Sequence, residues 1–506
     1  MSPPIEALSA LDSFFLYLES PTTPMHGGSV GIFEGAPLHD RLGRLRLEAI
    51  RTEVEHRLDL VPKLRRRVQF SRAGAAAPVW VDDPDFDVAN HVRSMTLPAP
   101  GTEAQLTDLC ADLMAAPLDR ERPLWEMWFV DGLDGGRVAV IEKLHHAMAD
   151  GLAGVDLATV LLDLERHPDV RHVPSEPWHP SPPPSTGAML AHDVVRRSAA
   201  PLQTLAHGLD AVRHPVQTAR HTAELGAAVG TVVSAQSIAP ACSLNVPIGG
   251  RRQVLFLRQP IDDLKRAQRR FGVTINDLLL TAVAGGLHRL LSARGERVEG
   301  RTVQVLVPVG LDHHGDHHLG NKVAAMLVRL PIGTYDAADR LQAVSEAAER
   351  CKRHHQAMAA ELLVDLIEPW PQPVLSAATR LVNRQPLVNL VVTNVPGPGV
   401  PLYAMGARML EAFPIVPLAG NLSVGVAALS YDGQLTVGIL ADPETCPDVA
   451  VLAAGISRSF ADLVAATSHR PRRRRATGAG QGPSEDGDEA STRSTNVAVP
   501  GGGGTP

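Results

Sequence analysis

Two adjacent histidines, His145 and His146, stand in the segment VAVIEKLHHAMADGLAG, with Asp150 and Gly151 shortly after them. A neutral imidazole, with an ordinary pKa of about 6.5, accepts a proton near neutral pH. Such a base can take the proton of a hydroxyl or thiol as it attacks a carbonyl. Asp150 would fix the loop by pairing with a cation or with backbone amides, and Gly151 would let the backbone turn closely. The spacing therefore indicates acid–base chemistry.

Two other interpretations of the same residues stay open on spacing alone. His145, His146 and Asp150 offer three metal ligands, but adjacent side chains do not share one helix face. The chain also lacks an HExxH motif, so we predict no metal site. The second alternative is a pair of histidines that have hydrogen-bond partners and carry no chemistry.

No other catalytic motif competes with the histidine pair. The segment NLSVG around Ser423 approaches the GxSxG pattern of serine hydrolases, but Asn421 replaces its first glycine. The sequence also lacks a GxxxxGKS phosphate loop and a dinucleotide-binding fingerprint.

Apolar periodicity places the histidines between two elements. AVIEKLHH is typical of a strand, and GLAGVDLATVLLDLER (151–166) is typical of a helix. Later in the chain, RRQVLFLRQP indicates a strand and IDDLKRAQRRFG a helix that ends at Gly272. Thr274 is the predicted N-cap of the next helix, and Asp432-Gly433 predicts a hairpin turn. The histidines thus stand where a rigid strand would present them to a cleft.

The length of 506 residues predicts two domains with connecting material. We place an N-terminal domain at 1–172, a proline-rich and helical linker at 173–241 and a C-terminal domain at 242–468. The remaining residues, 469–506, are rich in arginine, glycine and polar residues, a composition typical of a disordered tail.

Composition limits both the class of binding partner and the cellular compartment of the protein. The net charge of −7 argues against a nucleic-acid partner. Four cysteines without a CxxC pair indicate a reducing compartment. We find neither a signal peptide nor an apolar run of the about 20 residues that cross a bilayer. A cytoplasmic location is predicted, and peripheral attachment to a membrane or to lipid inclusions stays open.

An ordered set of motifs resembles the bacterial wax ester synthase/diacylglycerol acyltransferase family. The family shares its HHxxxDG signature with chloramphenicol acetyltransferase and peptide-synthetase condensation domains. The resemblance runs from about Leu8 to about Ala466 and implies an α/β (α+β) fold, in which two coenzyme-A-dependent acyltransferase-like domains with mixed sheets enclose the site in a channel. The segments that carry it are LDSFFLYLESPTTPMH, RPLWEMWFVDGL, HHAMADG, TINDLLLTAVAGGL, VVTNVPGP and LSYDGQLTVGILADP.

The resemblance implies transfer of a long-chain acyl group from acyl-CoA to diacylglycerol or to a long-chain alcohol. Acyl-CoA would be a substrate, and no cofactor is expected. His146 would be the general base, His145 would help to shape the pocket, Asp150 would hold the loop and Gly151 would permit the turn. Two alternatives remain, a related acyltransferase with another acceptor and an inactive lipid-binding protein.

Further matched positions have less certain roles. The resemblance assigns Asn276 and Asp277 to support of the site from the second domain. Pro123, Leu124 and Trp125 match the family's PLW motif, with core packing as the alternative to substrate contact. Basic residues near the expected channel mouth would meet the phosphates of coenzyme A or simply form an exposed face; they are Arg251, Arg252, Lys265, Arg266, Arg269 and Arg270.

One segment departs from the family pattern. Where the family more often has a serine followed by a basic residue, this chain has Gly310 and Asp312. A histidine cluster follows, for which metal binding and a solvated loop are both open; it consists of His313, His314, His317 and His318.

Overall fold

The computed structural model describes residues 5–71, 76–148, 162–168, 177–195, 238–310, 323–334, 336–353 and 385–468. Two six-stranded mixed sheets dominate this part of the chain, and a three-stranded sheet lies beside them. In order across each sheet, the strands are β12-β13-β2-β7-β6-β5 in the first, β10-β9-β11-β14-β15-β8 in the second and β1-β4-β3 in the third. The strands are β1 Glu6–Ala7, β2 His26–Glu34, β3 Arg66–Gln69, β4 Val79–Asp82, β5 Val92–Thr96, β6 Trp125–Leu133, β7 Arg137–His145, β8 Gln253–Pro260, β9 Thr302–Gly310, β10 Val323–Pro331, β11 Leu390–Pro396, β12 Tyr403–Ala404, β13 Ala407–Ile415, β14 Val424–Tyr431 and β15 Gln434–Ala441.

Eight α-helices are described in these residues. They are α1 Ala10–Leu18, α2 Leu47–Arg57, α3 Glu103–Ala115, α4 (186–195), α5 Ile261–Phe271, α6 Ile275–Ala293, α7 Ala337–Arg353 and α8 Val449–Ser468.

β7 lies at the centre of the first sheet, antiparallel to β2 on one side and to β6 on the other. Its side chains alternate between two apolar clusters. Val138 and Val140 join the cluster beneath α1 and α2, whereas Ala139 and Ile141 join the cluster beneath α3. Apolar residues on both faces are typical of a central strand covered from both sides. The sheet thereby fixes the end of β7, where His145 lies.

A strand from late in the chain completes the first sheet. β13 pairs antiparallel with β2, with Phe413 opposite Val30 and Ile415 opposite Gly28. Gly438 on β15 allows β13 to lie against the second sheet, because a Cβ at this position would lie 1.9 Å from the carbonyl oxygen of Pro414. This pairing between a segment of the predicted C-terminal domain and β2 was not predicted from the sequence. The predicted domain bounds themselves stay a prediction.

The second sheet packs against the long helices α6 and α8, and its core is almost entirely aliphatic. The start of α6 forms a capping box with Thr274, as the sequence predicted: the Thr274 hydroxyl accepts from the Asp277 N–H at 3.1 Å, and the Asp277 carboxylate accepts from the Thr274 N–H at 2.9 Å. α5 ends at Gly272 in the left-handed conformation with φ 69°, which confirms that prediction too. The predicted hairpin is present, with positive φ at Asp432 and Gly433.

The predicted helix over 151–166 lies mostly outside the described residues. Its last part, 162–166, is described and is not helical, so the prediction is wrong there. Asp163 instead forms a β-bridge with Tyr403, in which the Asp163 N–H donates to the Tyr403 carbonyl at 2.8 Å. Tertiary pairing overrides the local helical pattern at this point.

Among the described residues, one helix, Val449–Thr467, is long and apolar enough to cross a membrane. The helices α5 and α6 also reach this length and apolar composition when they are taken together, but they are sharply bent relative to each other. The apolar face of α8 lies in the core, with Leu452, Ile456 and Phe460 almost fully buried. Burial of this kind is expected for a core helix.

Candidate active site

His145 is the last residue of β7 and is fully buried. Its Nδ1 accepts a hydrogen bond from the Ala147 N–H at 3.0 Å, so the proton of the neutral ring lies on Nε2. That Nε2 lies 3.8 Å from Oε2 of Glu19. Burial, reinforced by the nearby His146 and Arg120, lowers the pKa of His145 to about 3. The ring is therefore neutral at physiological pH and is occupied in holding the turn.

His146 begins a single 3-10 turn, His146–Met148, directly after the strand. Its ring stacks on Phe15 of α1, with centroids 5.0 Å apart and planes inclined by 27°. In contrast to His145, the residue His146 keeps part of its surface accessible. Most of its surroundings are nevertheless protein, and this burial lowers the pKa of His146 to about 4. The ring is thus a neutral, accessible imidazole at neutral pH, as a general base requires.

The segment before β2 fixes the backbone of this turn. The His146 N–H donates to the carbonyl of Met25 at 2.9 Å. The Met25 N–H in turn donates to Oε1 of Glu19 at 3.3 Å. Arg120 holds the other carboxylate oxygen, Oε2, through Nε at 2.9 Å and Nη2 at 2.6 Å. Glu19 therefore contacts both Met25 and His145, and Met25 in turn holds the backbone of the turn that carries His146.

A third histidine lies beside this set. His26, the first residue of β2, is directly opposite His145 in the sheet. Its Nε2 donates to the carbonyl of Met114 at 3.1 Å in the neutral tautomer. Burial, with Lys143 and His145 nearby, lowers the pKa of His26 well below its usual value. His26 is therefore a neutral packing partner of His145.

The three residues of the PLW motif support the strand end. Leu124 is 1% exposed, and its carbonyl accepts from the His145 N–H at 3.0 Å. The Trp125 indole N–H donates to the Leu64 carbonyl at 2.7 Å, and the Pro123 carbonyl accepts from the Trp125 N–H at 2.9 Å. These contacts are those of residues that pack in the core, which was the alternative to substrate contact for the PLW motif.

Asn276 and Asp277 lie in the first turn of α6. Asp277 is 3% exposed and completes the capping box with Thr274, which gives it a structural role. Asn276 keeps partial exposure. Within the described part of the chain, no hydrogen bond or ring contact joins either residue to His145 or His146.

The two arginines before β8 differ in accessibility. Arg251 is exposed. Arg252 is 7% exposed, and its guanidinium donates to the carbonyls of Gly249, Arg251 and Thr22, the last at 2.6 Å. Arg252 therefore ties the C-terminal half to the segment that leads into β2, and its donors are occupied by backbone oxygens.

Asp150 and Gly151 lie outside the described residues, as do Asp312 and the histidine cluster His313, His314, His317 and His318. In the residues that are described, no group of three or more His, Cys, Asp or Glu side chains is placed to hold a metal ion.

Sequence reasoning missed three residues of the site, namely Phe15, Glu19 and Arg120. Phe15 and Glu19 lie in the motif LDSFFLYLESPTTPMH, which contributed to the resemblance without any residue being given a role. Arg120 lies 101 residues after its partner Glu19, so only the fold brings them together. The one local indication of a role for Glu19 was its charge at the C-terminal end of an apolar helix.

Residues 8–279 match the model of the wax ester synthase/diacylglycerol acyltransferase catalytic domain, and residues 319–464 match the C-terminal domain model of the same family. The chain belongs to this family. As a member of the wax ester synthase/diacylglycerol acyltransferase family, it is an acyltransferase.

Relatives of this acyltransferase match over nearly its full length. A putative diacylglycerol O-acyltransferase of Mycobacterium tuberculosis is 33% identical over 479 residues, 92% of each chain. A probable diacylglycerol O-acyltransferase of the same organism is 34% identical over 477 residues, covering 92% of this chain and 98% of the relative.

Two solved structures share the fold. The wax ester synthase/diacylglycerol acyltransferase from Marinobacter aquaeolei VT8 superimposes with a TM-score of 0.62 at 22% identity, covering 91% of this chain and 99% of that one. The first condensation domain of the CDA synthetase gives a TM-score of 0.56 at 18% identity, covering 93% and 98%. These matches confirm the predicted α/β fold of condensation-domain-like acyltransferases.

Proposed function

We propose that this acyltransferase moves a long-chain acyl group from acyl-CoA to diacylglycerol, forming triacylglycerol, and also accepts long-chain alcohols to form wax esters. Family membership supports the reaction class. The single observation that supports the assignment of the base is the contrast at the end of β7, where His146 is accessible and neutral while His145 is buried and hydrogen-bonded.

In the proposed reaction, His146 removes the proton of the acceptor hydroxyl as its oxygen attacks the thioester carbonyl. The tetrahedral intermediate collapses with cleavage of the C–S bond, and the imidazolium returns its proton to the coenzyme A thiolate. A thioester is already activated, so no acyl-enzyme, metal or cofactor is required. Both substrates bind together, and their proximity replaces a bimolecular encounter.

The roles of the neighbouring residues follow from their contacts. His145 and Glu19 position the turn, and Asp150 and Gly151 are proposed to shape its continuation. Arg251, which is exposed, is the better candidate than Arg252 for a phosphate of coenzyme A, because the donors of Arg252 already serve carbonyls.

The deciding experiment supplies palmitoyl-CoA with diacylglycerol or hexadecanol and measures ester formation. We expect His146→Ala to lower kcat by about 10²-fold to 10⁴-fold, the range for loss of a general base. His56→Ala is the matched control, because this partly exposed histidine lies on α2 outside the site. Equal rates for wild type and His146→Ala would remove the base assignment. Activity confined to small polar alcohols would instead favour an acyltransferase with another acceptor.

We also propose that the enzyme is cytoplasmic and meets its acceptor at the surface of a membrane or lipid inclusion, because diacylglycerol and long-chain alcohols reside in such phases. Flotation with vesicles that contain diacylglycerol tests this. If the protein stays in the aqueous fraction at every lipid content while remaining active, the surface step is excluded.

A further inference from the structure

The outer face of α5 carries four positive charges. Toward the core the helix buries Ile261, Leu264 and Ala267, which recur at the spacing of one helical face. The opposite face contains exposed basic residues, and we call this set the α5 basic face; its members are Lys265, Arg266, Arg269 and Arg270. The two acidic residues of α5 lie in the first turn, toward the other end of the helix. Residues 238–310 are described without a gap, so both elements that adjoin α5 in sequence, β8 and α6, are described as well.

The spacing of these charges does not stabilise the helix. Lys265 and Arg269 are four residues apart, as are Arg266 and Arg270, and like charges at this spacing repel each other on a helix. The helix dipole favours cations in the last turn, which contains Arg269 and Arg270, but its effect falls off one turn earlier. The stability of α5 itself therefore accounts for at most half of the α5 basic face.

Carboxylates of the described residues neutralise only part of the α5 basic face. Arg266 pairs with Asp263 at 2.5 Å. Lys265, Arg269 and Arg270 form no ion pair with any described residue. On other helices, cations at the surface do pair with a carboxylate three or four residues away; examples from α2, α7 and α8 are Arg51–Glu48, Lys352–Glu349 and Arg458–Asp462. The outer face of α5 thus presents a local excess of positive charge on a chain whose net charge is −7.

The arrangement of these cations fits an extended anionic surface. Lys265 and Arg269 form one row and Arg266 and Arg270 the next, over about 7.5 Å of a convex helix. Such rows do not converge on a single phosphate group, and the net charge of the chain argues against a nucleic-acid partner. We infer that the α5 basic face docks the enzyme onto membranes that contain anionic phospholipids. This inference rests on the proposed function, in which the acceptor resides in a lipid phase, and names the part of the molecule that contacts that phase.

The strength of this docking follows from the number of unpaired cations. Each lysine or arginine close to an anionic bilayer strengthens binding by about fivefold, so Lys265, Arg269 and Arg270 together contribute about 100-fold. Salt screens exposed charges over a distance of about 10 Å at an ionic strength of about 0.1 M. Docking is therefore tight at low salt and weak at high salt, whereas binding through an apolar patch would not weaken in this way.

Flotation of the full-length protein with vesicles tests the inference. The vesicles consist of phosphatidylcholine, either alone or with added phosphatidylglycerol. Lys265→Gln, Arg269→Gln and Arg270→Gln are combined in one variant, because glutamine removes the charge and keeps the helix propensity. We expect wild type to bind the anionic vesicles at low salt only, and the triple variant to bind them about 100-fold more weakly. An unchanged binding constant in the triple variant would overturn the inference.

A matched control separates this face from the net charge of the protein. Arg41→Gln, Arg289→Gln and Arg297→Gln, combined in one variant, remove the same number of charges from exposed residues outside α5. This variant should bind anionic vesicles like wild type. Thermal unfolding of both triple variants confirms that they are folded. If the control variant lost as much binding as the α5 variant, net charge rather than the α5 basic face would govern docking, and the inference would fall.

Two further measurements distinguish docking on lipid from binding of coenzyme A phosphates. Lys265→Arg with Arg269→Lys and Arg270→Lys keeps every charge, and it should bind vesicles like wild type, because an extended charged surface does not require the bidentate geometry of arginine. Weaker vesicle binding by this charge-retaining variant would contradict docking by charge alone. With a water-soluble short-chain alcohol as acceptor, the glutamine variant should keep the wild-type KM for acyl-CoA. A raised KM would assign these cations to coenzyme A and overturn the inference.

The arginine run Arg472–Arg475 is a second source of positive charge in the sequence. A full-length variant with glutamine at these positions is therefore tested in parallel, and it should retain the part of the binding that α5 supplies. Loss of all vesicle binding in this variant, with none lost in the α5 variant, would refute docking through α5. Flotation needs no turnover, so its result is independent of the reaction. A wild-type protein that docks through α5 but forms no ester would refute the proposed function alone, whereas one that forms ester but binds no anionic vesicle would refute the docking surface alone.

Discussion

Acidification should destabilise the fold through the buried histidines, and His146 allows the effect to be isolated. In the unfolded chain a histidine binds a proton below its ordinary pKa of about 6.5, whereas His146 in the fold stays neutral down to its lowered pKa of about 4. Between these values the unfolded state holds more protons than the folded state. The free energy of unfolding therefore falls as the pH falls, and the loss ends once the pH is below both pKa values.

The size of the loss follows from the width of this window. Each pH unit inside it costs about 1.36 kcal/mol for one such group. At pH 5, about 1.5 units below the unfolded pKa, His146 accounts for a loss of about 2 kcal/mol. His145, with a pKa lowered to about 3, contributes in the same direction.

Urea unfolding followed by tryptophan fluorescence at pH 8 and pH 5 measures the effect. His146→Asn removes the titrating ring at similar size, so its stability difference between the two pH values should be about 2 kcal/mol smaller than that of wild type. His56→Asn on α2 is the control and should retain the wild-type difference. If His146→Asn also retained the full difference, the fold would not lower the pKa of the His146 imidazole, and this ring would not be the neutral group that the proposed base requires.

Three further expectations concern other parts of the structure. Glu19→Gln weakens the ion pair with Arg120 and loosens the turn that carries His146, so kcat should fall about tenfold with little change in KM for acyl-CoA. The control is Glu34→Gln, which breaks a comparable ion pair with Arg166. An unaltered kcat for Glu19→Gln would refute the positioning role of Glu19. Thr274→Ala removes the N-cap of α6 and should cost about 1 kcal/mol of stability, measured by thermal unfolding; an unchanged Tm would contradict the capping role. Gly438→Ala places a Cβ 1.9 Å from the Pro414 carbonyl oxygen and should greatly reduce the yield of folded protein. Gly399→Ala is the control, because its new Cβ meets no atom within 4 Å and the yield should not change. Equal yields for the two variants would show that β13 can shift to make room.

The features that were correctly predicted depend on neighbours in sequence. The N-cap at Thr274, the end of α5 at Gly272 and the hairpin at Asp432-Gly433 each follow from local backbone chemistry. The strand that ends at His145 was visible as an apolar, β-branched run. Local signals of this kind also placed the histidine pair at a strand end, which is what made the catalytic interpretation worth testing.

The features that were missed depend on residues far apart in the chain. The sequence of β13 does not reveal that its partner is β2, nearly 400 residues earlier. Nothing in the helical pattern of 151–166 shows that Asp163 would pair with Tyr403. The link between Glu19 and Arg120 is similar, since it arises when the end of α1 meets the segment before β6. Pairing across such separations is set by the whole fold rather than by local propensity.

These long-range contacts bear directly on His146, the proposed base. The turn of His146 is fixed by Met25, just before β2, and β2 is held on its other side by β13 from the C-terminal half. Arg252 adds a second link from that half, because it donates to Thr22 in the same segment. The position of the proposed base is therefore a property of both halves together, even though HHxxxDG lies in the first. Displacement of either half would move β2 and, with it, the backbone that places His146, so the proposed base depends on the packing of both halves.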